Sequence, residues 1–208
     1  METNLFPCLV DMKFKGVRVD AEKAAALKKQ LTKTEKDLHQ DIKKLIGFEV
    51  EIWAASSIQK AFDNQKIPYD RTDKGAPSFT KNFLATHPHE LPKLINEARE
   101  INKANTTFIE TILKHEHNGR IHSDINQIRS DDGGTVTGRF SYSNPNLQQI
   151  PARHKELGPM IRSLFIPETG HKWGCFDYSQ QEPRIVVHFS SLLKLEGSSM
   201  IVDQYNNG

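Results

Sequence analysis

Apolar residues recur every three, four or seven positions between residues 20 and 47, a spacing that places them on one face of an α-helix. Asp20 is suited to cap the start of this helix, and Gly47 lies at its end. The opposite face is rich in lysine, which by itself indicates a solvated surface. The apolar positions are Ala24, Leu27, Leu31, Leu38, Ile42 and Leu45.

A second stretch with helical spacing covers about residues 91–116. Its apolar positions are Leu94, Ile95, Ala98, Ile101, Phe108, Ile109, Ile112 and Leu113. Two long amphipathic helices favour an antiparallel pair with facing apolar stripes. The segment between them predicts a short helix over residues 57–64 capped by Ser56, a loop over residues 65–78 and a small helix near residues 80–86.

Beyond residue 119 the apolar residues alternate, as they do in β-strands. The predicted strands cover residues 120–128, 163–167 and 173–178, and a turn covers residues 131–134. Upstream of the first long helix, residues 9–20 predict a helical turn, a glycine break and a short strand. Pro183 suits the first turn of a helix after the last strand, since its missing N–H would be unpaired there anyway.

This change of pattern predicts two domains and an α+β fold. Residues 1–118 form a helical domain with two long antiparallel helices. Residues 119–208 form a domain of antiparallel strands and helices.

Composition sets wide limits on function. The 208 residues carry a net charge of +2, which argues neither for nor against a polyanionic partner. Cys8 and Cys175 lie far apart without metal-ligand spacing, which predicts reduced thiols in a cytoplasmic protein. His115 and His117 lie on different faces of the second helix, so this pair is interpreted as a solvated helix end. No stretch approaches the roughly 20 apolar residues of a membrane span, and no membrane partner is expected.

Two segments carry the candidate chemistry. Residues 135–153 are TVTGRFSYSNPNLQQIPAR, and residues 177–184 are DYSQQEPR. Together they resemble family A (DNA polymerase I-like) DNA polymerases, in which T-x-T-G-R-x-S-S-x-x-P-N-L-Q-N-I-P precedes D-Y-S-Q-x-E-L-R, the segment called motif A. A weaker similarity runs through the helical region, where the family order G-V-x-(I/V)-D, S-x-x-Q and G-A-P-S-x-(S/T) is matched at residues 16–20, 56–59 and 75–80.

The resemblance implies a fragment of such a polymerase. Residues 1–118 would be the thumb, and residues 119–208 the N-terminal part of the palm through motif A, without the fingers and the rest of the palm. The implied reaction is template-directed nucleotidyl transfer to a primer 3′ end with two Mg²⁺ ions. Since only one of the metal-binding carboxylates is present, the isolated chain is expected to bind DNA without polymerising.

The resemblance also implies roles for the motif A residues. Asp177 would be the catalytic, metal-bridging carboxylate, and the Tyr178 backbone carbonyl a further metal ligand. Glu182 would crowd the 2′ position of the incoming sugar and so select deoxyribonucleotides by repulsion. Tyr178, Gln180 and Arg153 would line the same nucleotide pocket.

Other matched residues would contact primer–template DNA. Arg139 would reach the minor groove at the primer terminus, where every base pair offers acceptors, so that pair shape is tested without reading sequence. The minor-groove and template contacts would be Asn146 and Gln148. The thumb contacts to phosphates, hence salt-sensitive and sequence-independent, would be Arg99, Lys103, Asn105 and Thr106.

Several residues of the chain depart from the family pattern. Gln181 and Pro183 stand where motif A usually has Ile and Leu, and Tyr142 replaces a usual Ser. These departures are interpreted as divergence in a phage-like branch of the family. The protein is expected in the cytoplasm of a bacterium or of a phage-infected host. Two other functions stay open: a non-catalytic DNA-binding or scaffolding module, and the N-terminal half of a naturally split polymerase completed by a second polypeptide. In the polymerase interpretations the partners are primer–template DNA and deoxynucleoside triphosphates.

Overall fold

The structure is a computed structural model that describes residues 2–130, 133–152 and 154–207. Residues 1–168 form one compact unit and residues 169–208 a second. The predicted boundary at residue 119 lies inside the first unit, and the assignment of residues 1–118 and 119–208 to two polymerase domains stays a prediction. No helix in the described ranges is long and apolar enough to cross a membrane.

The first unit combines helices with short antiparallel strands, which confirms the predicted α+β class. Its helices are α1 (Glu2–Lys15), α2 (Ala21–Ile46), α3 (Ala55–Asn64), α4 (Lys81–Thr86), α5 (Glu90–Lys103), α6 (Glu110–His115) and α7 (Leu157–Arg162). Its strands are β1 (Val17–Arg18), β2 (Asp70–Arg71), β3 (Pro77–Ser78), β4 (Glu116–His117), β5 (Arg120–Ile121), β6 (Asp124–Asn126) and β7 (Ser141–Ser143). The second unit contains α8 (Gln181–Leu192) and α9 (Ser198–Asn207).

The first long helix, α2, begins and ends as its caps predict. The Asp20 side chain accepts a hydrogen bond from the Lys23 backbone N–H at 2.9 Å, and Gly47 closes the helix at a φ of 87°. Five of the six predicted stripe residues are buried, but Leu45 is 37% exposed and Ile46 is buried in its place. The reason is helical geometry, because Ile46 lies one full turn after Ile42 and continues the buried stripe.

The second long helix is continuous but not uniform. Between α5 and α6, Ala104–Ile109 is a π-helical segment, in which one extra residue is fitted into the turn. Polar contacts with α2 confirm the predicted antiparallel pairing. Asn102 donates to Glu35 Oε1 at 2.8 Å, and Asn105 donates to Thr32 Oγ1 at 3.1 Å. Lys28 Nζ lies 3.0 Å from Glu110 Oε1. Residue numbers therefore rise along one helix as they fall along the other.

Two buried apolar clusters lie along this helix pair. One joins the C-terminal half of α2 and α5 to residues 50–84, with Ile42, Ile58, Phe62, Leu84 and Ile95 fully buried. The other joins the N-terminal half of α2 to the π segment, α6, β5 and α7, and includes Leu31, Ile109, Ile121, Ile161 and Leu164. The helix pair thus serves as the common wall of both cores.

The region between the long helices differs from its prediction at two points. Helix α3 begins at Ala55 with Ala54 as an N-cap that has no side-chain bond, so the Ser56 cap is wrong; the Ser57 hydroxyl instead accepts from the Glu51 N–H at 3.0 Å. The predicted loop over residues 65–78 contains the β2–β3 ladder, which Gly75 makes possible by turning the chain at a φ of 80°. Thr80 caps α4.

The predicted strands after residue 115 are partly corrected. Glu116 and His117 form β4 rather than a helix end, because Asn118 and Gly119 both have positive φ values and close a tight hairpin onto β5. Strand β1 pairs with the other side of β5, and β6 pairs with β7. Residues 163–167 are not a strand; Phe165 makes a single bridge to Val19 beyond the end of α7. The predicted turn at 131–134 lies partly outside the described residues.

In the second unit, residues 173–178 do not form the predicted strand. A strand needs a neighbour to pair its backbone, and no described strand pairs with this stretch. Its side chains are exposed, Phe176 to 96%. Helix α8 follows with Pro183 in its first turn as predicted, and α9 packs against it.

We expect Ile42→Ala to lower the free energy of unfolding by about 2–4 kcal/mol, because it opens a cavity in a core where Ile42 is fully buried. Leu45→Ala, on the same helix, should cost about 1 kcal/mol or less, since Leu45 already contacts water. Urea denaturation followed by circular dichroism measures both. Equal losses in the two variants would contradict the observed orientation of α2, which buries Ile42 and leaves Leu45 partly exposed.

Candidate nucleic-acid interface and motif A turn

The motif A residues lie at a turn that leads into α8. Asp177 is exposed and precedes the turn at Ser179 and Gln180, where Gln180 has a φ of 54° and a ψ of 40°. Such left-handed backbone is uncommon for a residue with a side chain and needs support from its surroundings. Arg184 provides it, because its Nε donates to the Ser179 carbonyl at 3.1 Å.

Arg184 also ties this turn to α9. Its Nη1 donates to the Tyr205 carbonyl at 2.9 Å, and the guanidinium carbon lies 4.9 Å from the centre of the Tyr205 ring. Glu182 and Pro183 lie in the first turn of α8, between Ser179 and Arg184 in the sequence. The two short helices therefore hold the motif A turn in a defined shape.

A cavity of about 580 Å³ opens beside this turn. Its lining combines an aromatic ring, a guanidinium, an imidazole and amide groups, and consists of Tyr178, Ser179, Gln181, Arg184, Ile185 and His188. The volume falls within the range of small-molecule sites. Gln180 and Glu182, which sequence reasoning assigned to a nucleotide pocket, adjoin these residues in the chain.

The described parts of the chain contain no cluster of metal-ligating side chains. No three His, Cys, Asp or Glu side chains come together there in a way that could hold a metal ion. The Asp177 carboxylate and the Tyr178 carbonyl are oxygen donors of the kind that Mg²⁺ prefers, and Mg²⁺ is often held by one or two carboxylates plus substrate phosphates. These residues fit part of a metal site.

The predicted minor-groove residues lie in the first unit on two closed loops, that is, loops held in shape by hydrogen bonds within them or to the preceding segment. Arg139 is exposed, and its carbonyl accepts a 2.7 Å hydrogen bond from the Thr135 hydroxyl. Asn146 and Gln148 are exposed as well. Asn146 accepts from the Gln148 N–H at 3.0 Å and so caps the short helix Leu147–Gln149, while Gln148 donates to the Phe140 carbonyl at 3.2 Å. Arg153 lies outside the described residues.

The predicted thumb residues divide into two pairs. Lys103 and Thr106 are exposed, and Thr106 donates to the Asn102 carbonyl at 2.8 Å. Asn105 is only 5% exposed and faces α2. Arg99 donates to the carbonyls of Ile52 at 2.6 Å and Phe79 at 2.8 Å, and burial lowers the pKa of its guanidinium. DNA contact by Arg99 and Asn105 stays a prediction, whereas their contacts here join parts of the fold.

Sequence reasoning missed a charged cluster centred on Glu100. Lys81 Nζ lies 2.8 Å from one carboxylate oxygen of Glu100, and His154 Nε2 lies 3.1 Å from the other. Burial raises the pKa of Glu100, but the hydrogen bonds from Lys81 and His154 outweigh burial, so the net pKa lies below its usual range. The three residues are far apart in the sequence, and no local pattern could have revealed the cluster.

A cavity of about 460 Å³ lies next to this cluster. Its lining includes Lys103, Ala104 and Phe108 of the second long helix and, from the later chain, Gln149, Pro151 and Leu157. The structure thus brings the predicted thumb residue Lys103 to the same cleft as Gln149, the neighbour of Gln148.

Comparison with known proteins establishes the family. Residues 21–198 match DNA polymerase family A, so the chain belongs to that family. The match covers both long helices, the loops with Arg139 and Gln148, and the motif A turn. It confirms the resemblance that the two motifs carry.

The relatives include phage proteins. The chain is 34% identical to a DNA-directed DNA polymerase of Pseudomonas phage M6, over 93% of this chain and 31% of that protein. It is 36% identical to DNA polymerase DpoZ of Acinetobacter phage SH-Ab 15497, over 92% of this chain and 34% of that protein. A solved structure, the POL domain of Pol1 from M. smegmatis in complex with DNA primer-template and dNTP, aligns at 27% identity with a TM-score of 0.72, over 88% of this chain and 32% of that one. The chain spans about a third of the length of these relatives.

We expect Arg99→Lys to lower the free energy of unfolding by about 1–3 kcal/mol, because one ammonium cannot satisfy both carbonyls and also lie over the Trp53 ring. The matched control is Lys103→Ala, which removes an exposed charge and should stay within about 0.5 kcal/mol of the parent. Urea denaturation compares them. A parent-like midpoint for Arg99→Lys would show that these bonds contribute little.

Proposed function

We propose that the chain supplies the thumb and the first part of the palm, through motif A, of a phage-type DNA polymerase that extends a primer by template-directed nucleotidyl transfer. The observation that carries this proposal is the motif A turn, with Asp177 before it and Glu182 after it, in a chain that belongs to family A. The expected location is the cytoplasm of a bacterium or an infected host.

DNA binding would use the exposed residues of the first unit. Lys103 and Thr106 would contact phosphates, and Arg139, Asn146 and Gln148 would contact the minor groove and the template. Phosphate contacts give affinity without sequence information. The exposure of these five side chains and the closed loops that carry three of them support the assignment.

At the motif A turn, Asp177 and the Tyr178 carbonyl would bind a divalent metal ion, for which we propose Mg²⁺. Such an ion would supply positive charge against the triphosphate for nucleotidyl transfer. Glu182 would exclude a ribose 2′ hydroxyl, and Tyr178, Gln180 and Arg153 would complete the nucleotide pocket. The left-handed Gln180 backbone and its Arg184 support would orient Glu182 at the start of α8.

We further propose that the 208-residue chain is catalytically incomplete alone. It supplies one candidate metal carboxylate, and the second unit leaves many large apolar side chains in water, among them Phe176, Val186, Phe189 and Leu193. Exposed apolar area of this kind marks an interaction surface. The remaining polymerase sequence, joined to this chain or carried by a second polypeptide as in a split enzyme, would cover it.

We expect Lys103→Ala to weaken duplex DNA binding to the same extent on every sequence and to reduce the slope of log affinity against log salt by about 1, because one phosphate contact is lost. Lys29→Ala, which removes an exposed lysine of α2, is the control and should leave the slope unchanged. Fluorescence anisotropy with several duplexes makes the measurement. A strong preference for one duplex would instead favour a sequence-specific DNA-binding module.

In a polymerase reconstituted from this chain and the segments that its relatives have in addition, Asp177→Ala should lower single-nucleotide extension below about one hundredth of the parent rate with little change in DNA affinity. Glu182→Ala should raise ribonucleotide relative to deoxyribonucleotide incorporation, because steric bulk near the sugar is removed. Glu196→Ala, an exposed carboxylate of the same unit, is the control.

The 208-residue chain alone should give no extension in this assay. Template-dependent extension by that chain would overturn the proposed incompleteness. Near-normal extension by Asp177→Ala would overturn the catalytic assignment.

A further inference from the structure

His154 uses both of its ring nitrogens. Nδ1 lies 3.1 Å from the Leu157 N–H and 3.3 Å from the Glu156 N–H, and it must be unprotonated to accept from them. Nε2 lies 3.1 Å from the Glu100 carboxylate, to which it donates. The side chain therefore caps the start of α7 with one nitrogen and binds α5 with the other.

Helix α7 is in turn joined to the segment before it. Arg162 Nε donates to the Pro151 carbonyl at 3.2 Å. At Gly158, a Cβ would lie 3.2 Å from the same carbonyl, so the backbones approach closely. The residues that follow Gln148 are thus fixed to α7, and a displacement of α7 would carry them with it.

The link to Glu100 borders a cavity of about 460 Å³. Lys103 and Gln149 line this cavity, as do Lys81, Glu100 and His154. Leu157 and Ile161 anchor α7 in the core on one side. At the cavity, the His154–Glu100 bond joins the start of α7 to α5, and Lys81 Nζ lies 2.8 Å from the other oxygen of Glu100.

We propose that His154 is a positioning residue for DNA binding: through Glu100 it holds the segment with Asn146 and Gln148 at a set distance from Lys103, so that both contact one duplex. The proposal rests on the DNA-binding function proposed above. His154 touches no DNA in this scheme. Its effect comes from aligning two groups of DNA-binding residues on segments that both line the cavity.

The first test is His154→Asn in the 208-residue chain. Asparagine is a favoured helix cap and can still accept from the α7 backbone, but it is too short to reach Glu100. At about pH 8, duplex affinity measured by anisotropy should fall about fivefold relative to the parent. Circular dichroism checks that the variant is folded.

A double variant separates the His154–Glu100 link from general support of the fold. If His154 positions the DNA-binding residues through Glu100, then His154→Asn combined with Glu100→Ala should bind duplex about as tightly as Glu100→Ala alone, because the link is already broken.

The second test breaks the link from α5. Glu100→Ala and Glu97→Ala each remove one negative charge from α5, but only Glu100 binds His154. Glu100→Ala should bind duplex about fivefold more weakly than Glu97→Ala, even though it also frees Lys81, a change that by itself would favour a polyanion.

The outcomes are distinct. If the parent chain binds no DNA, the proposed function fails and takes this inference with it. If the parent binds DNA and both His154→Asn and Glu100→Ala match their references at about pH 8, only the positioning role of His154 is overturned. A double variant that binds duplex about fivefold more weakly than Glu100→Ala also overturns it.

Discussion

The fold of the first unit depends on the burial of two facing apolar stripes along α2 and the helix formed by α5, the π segment and α6. Both apolar clusters use these stripes as a wall, one near Ile42 and Ile95 and the other near Leu31 and Ile109. Each helix is amphipathic, so its apolar stripe is unfavourable in water. Pairing the two helices removes both stripes from water at once. The short strands and α7 then complete the second cluster.

Polar contacts set the register of this pair. Asn102 meets Glu35, and the buried Asn105 meets Thr32 from within the π segment. Among the residues that the structure describes, none donates a hydrogen bond to the Asn105 side-chain oxygen, which is costly for a buried amide. The Asn105 amide nitrogen donates to Thr32 Oγ1 at 3.1 Å from within the π segment, so this irregular turn contributes a polar contact to the register. Lys103 and Thr106 reach the surface beside this irregular turn.

The second unit is stabilised by different interactions from the first. Its short helices bury little apolar surface, yet its motif A turn has a defined shape because Arg184 binds the carbonyls of Ser179 and Tyr205. Local hydrogen bonds can thus hold the backbone around Asp177 and Glu182. They cannot convert residues 173–178 into a strand, because strand pairing needs a neighbouring backbone.

The sequence by itself determined the elements whose signals are local. The Asp20 cap, the Gly47 end, the helical stripes and Pro183 in the first turn of α8 all follow from residue types at short spacing, and the two motifs identified the polymerase family. Only the tertiary structure decided which residues meet across long sequence separations. It buried Asn105, used Arg99 to bind the Ile52 and Phe79 carbonyls, and brought Lys81, Glu100 and His154 together. Those outcomes depend on how the helices pack against distant segments, and local spacing carries no information about that packing.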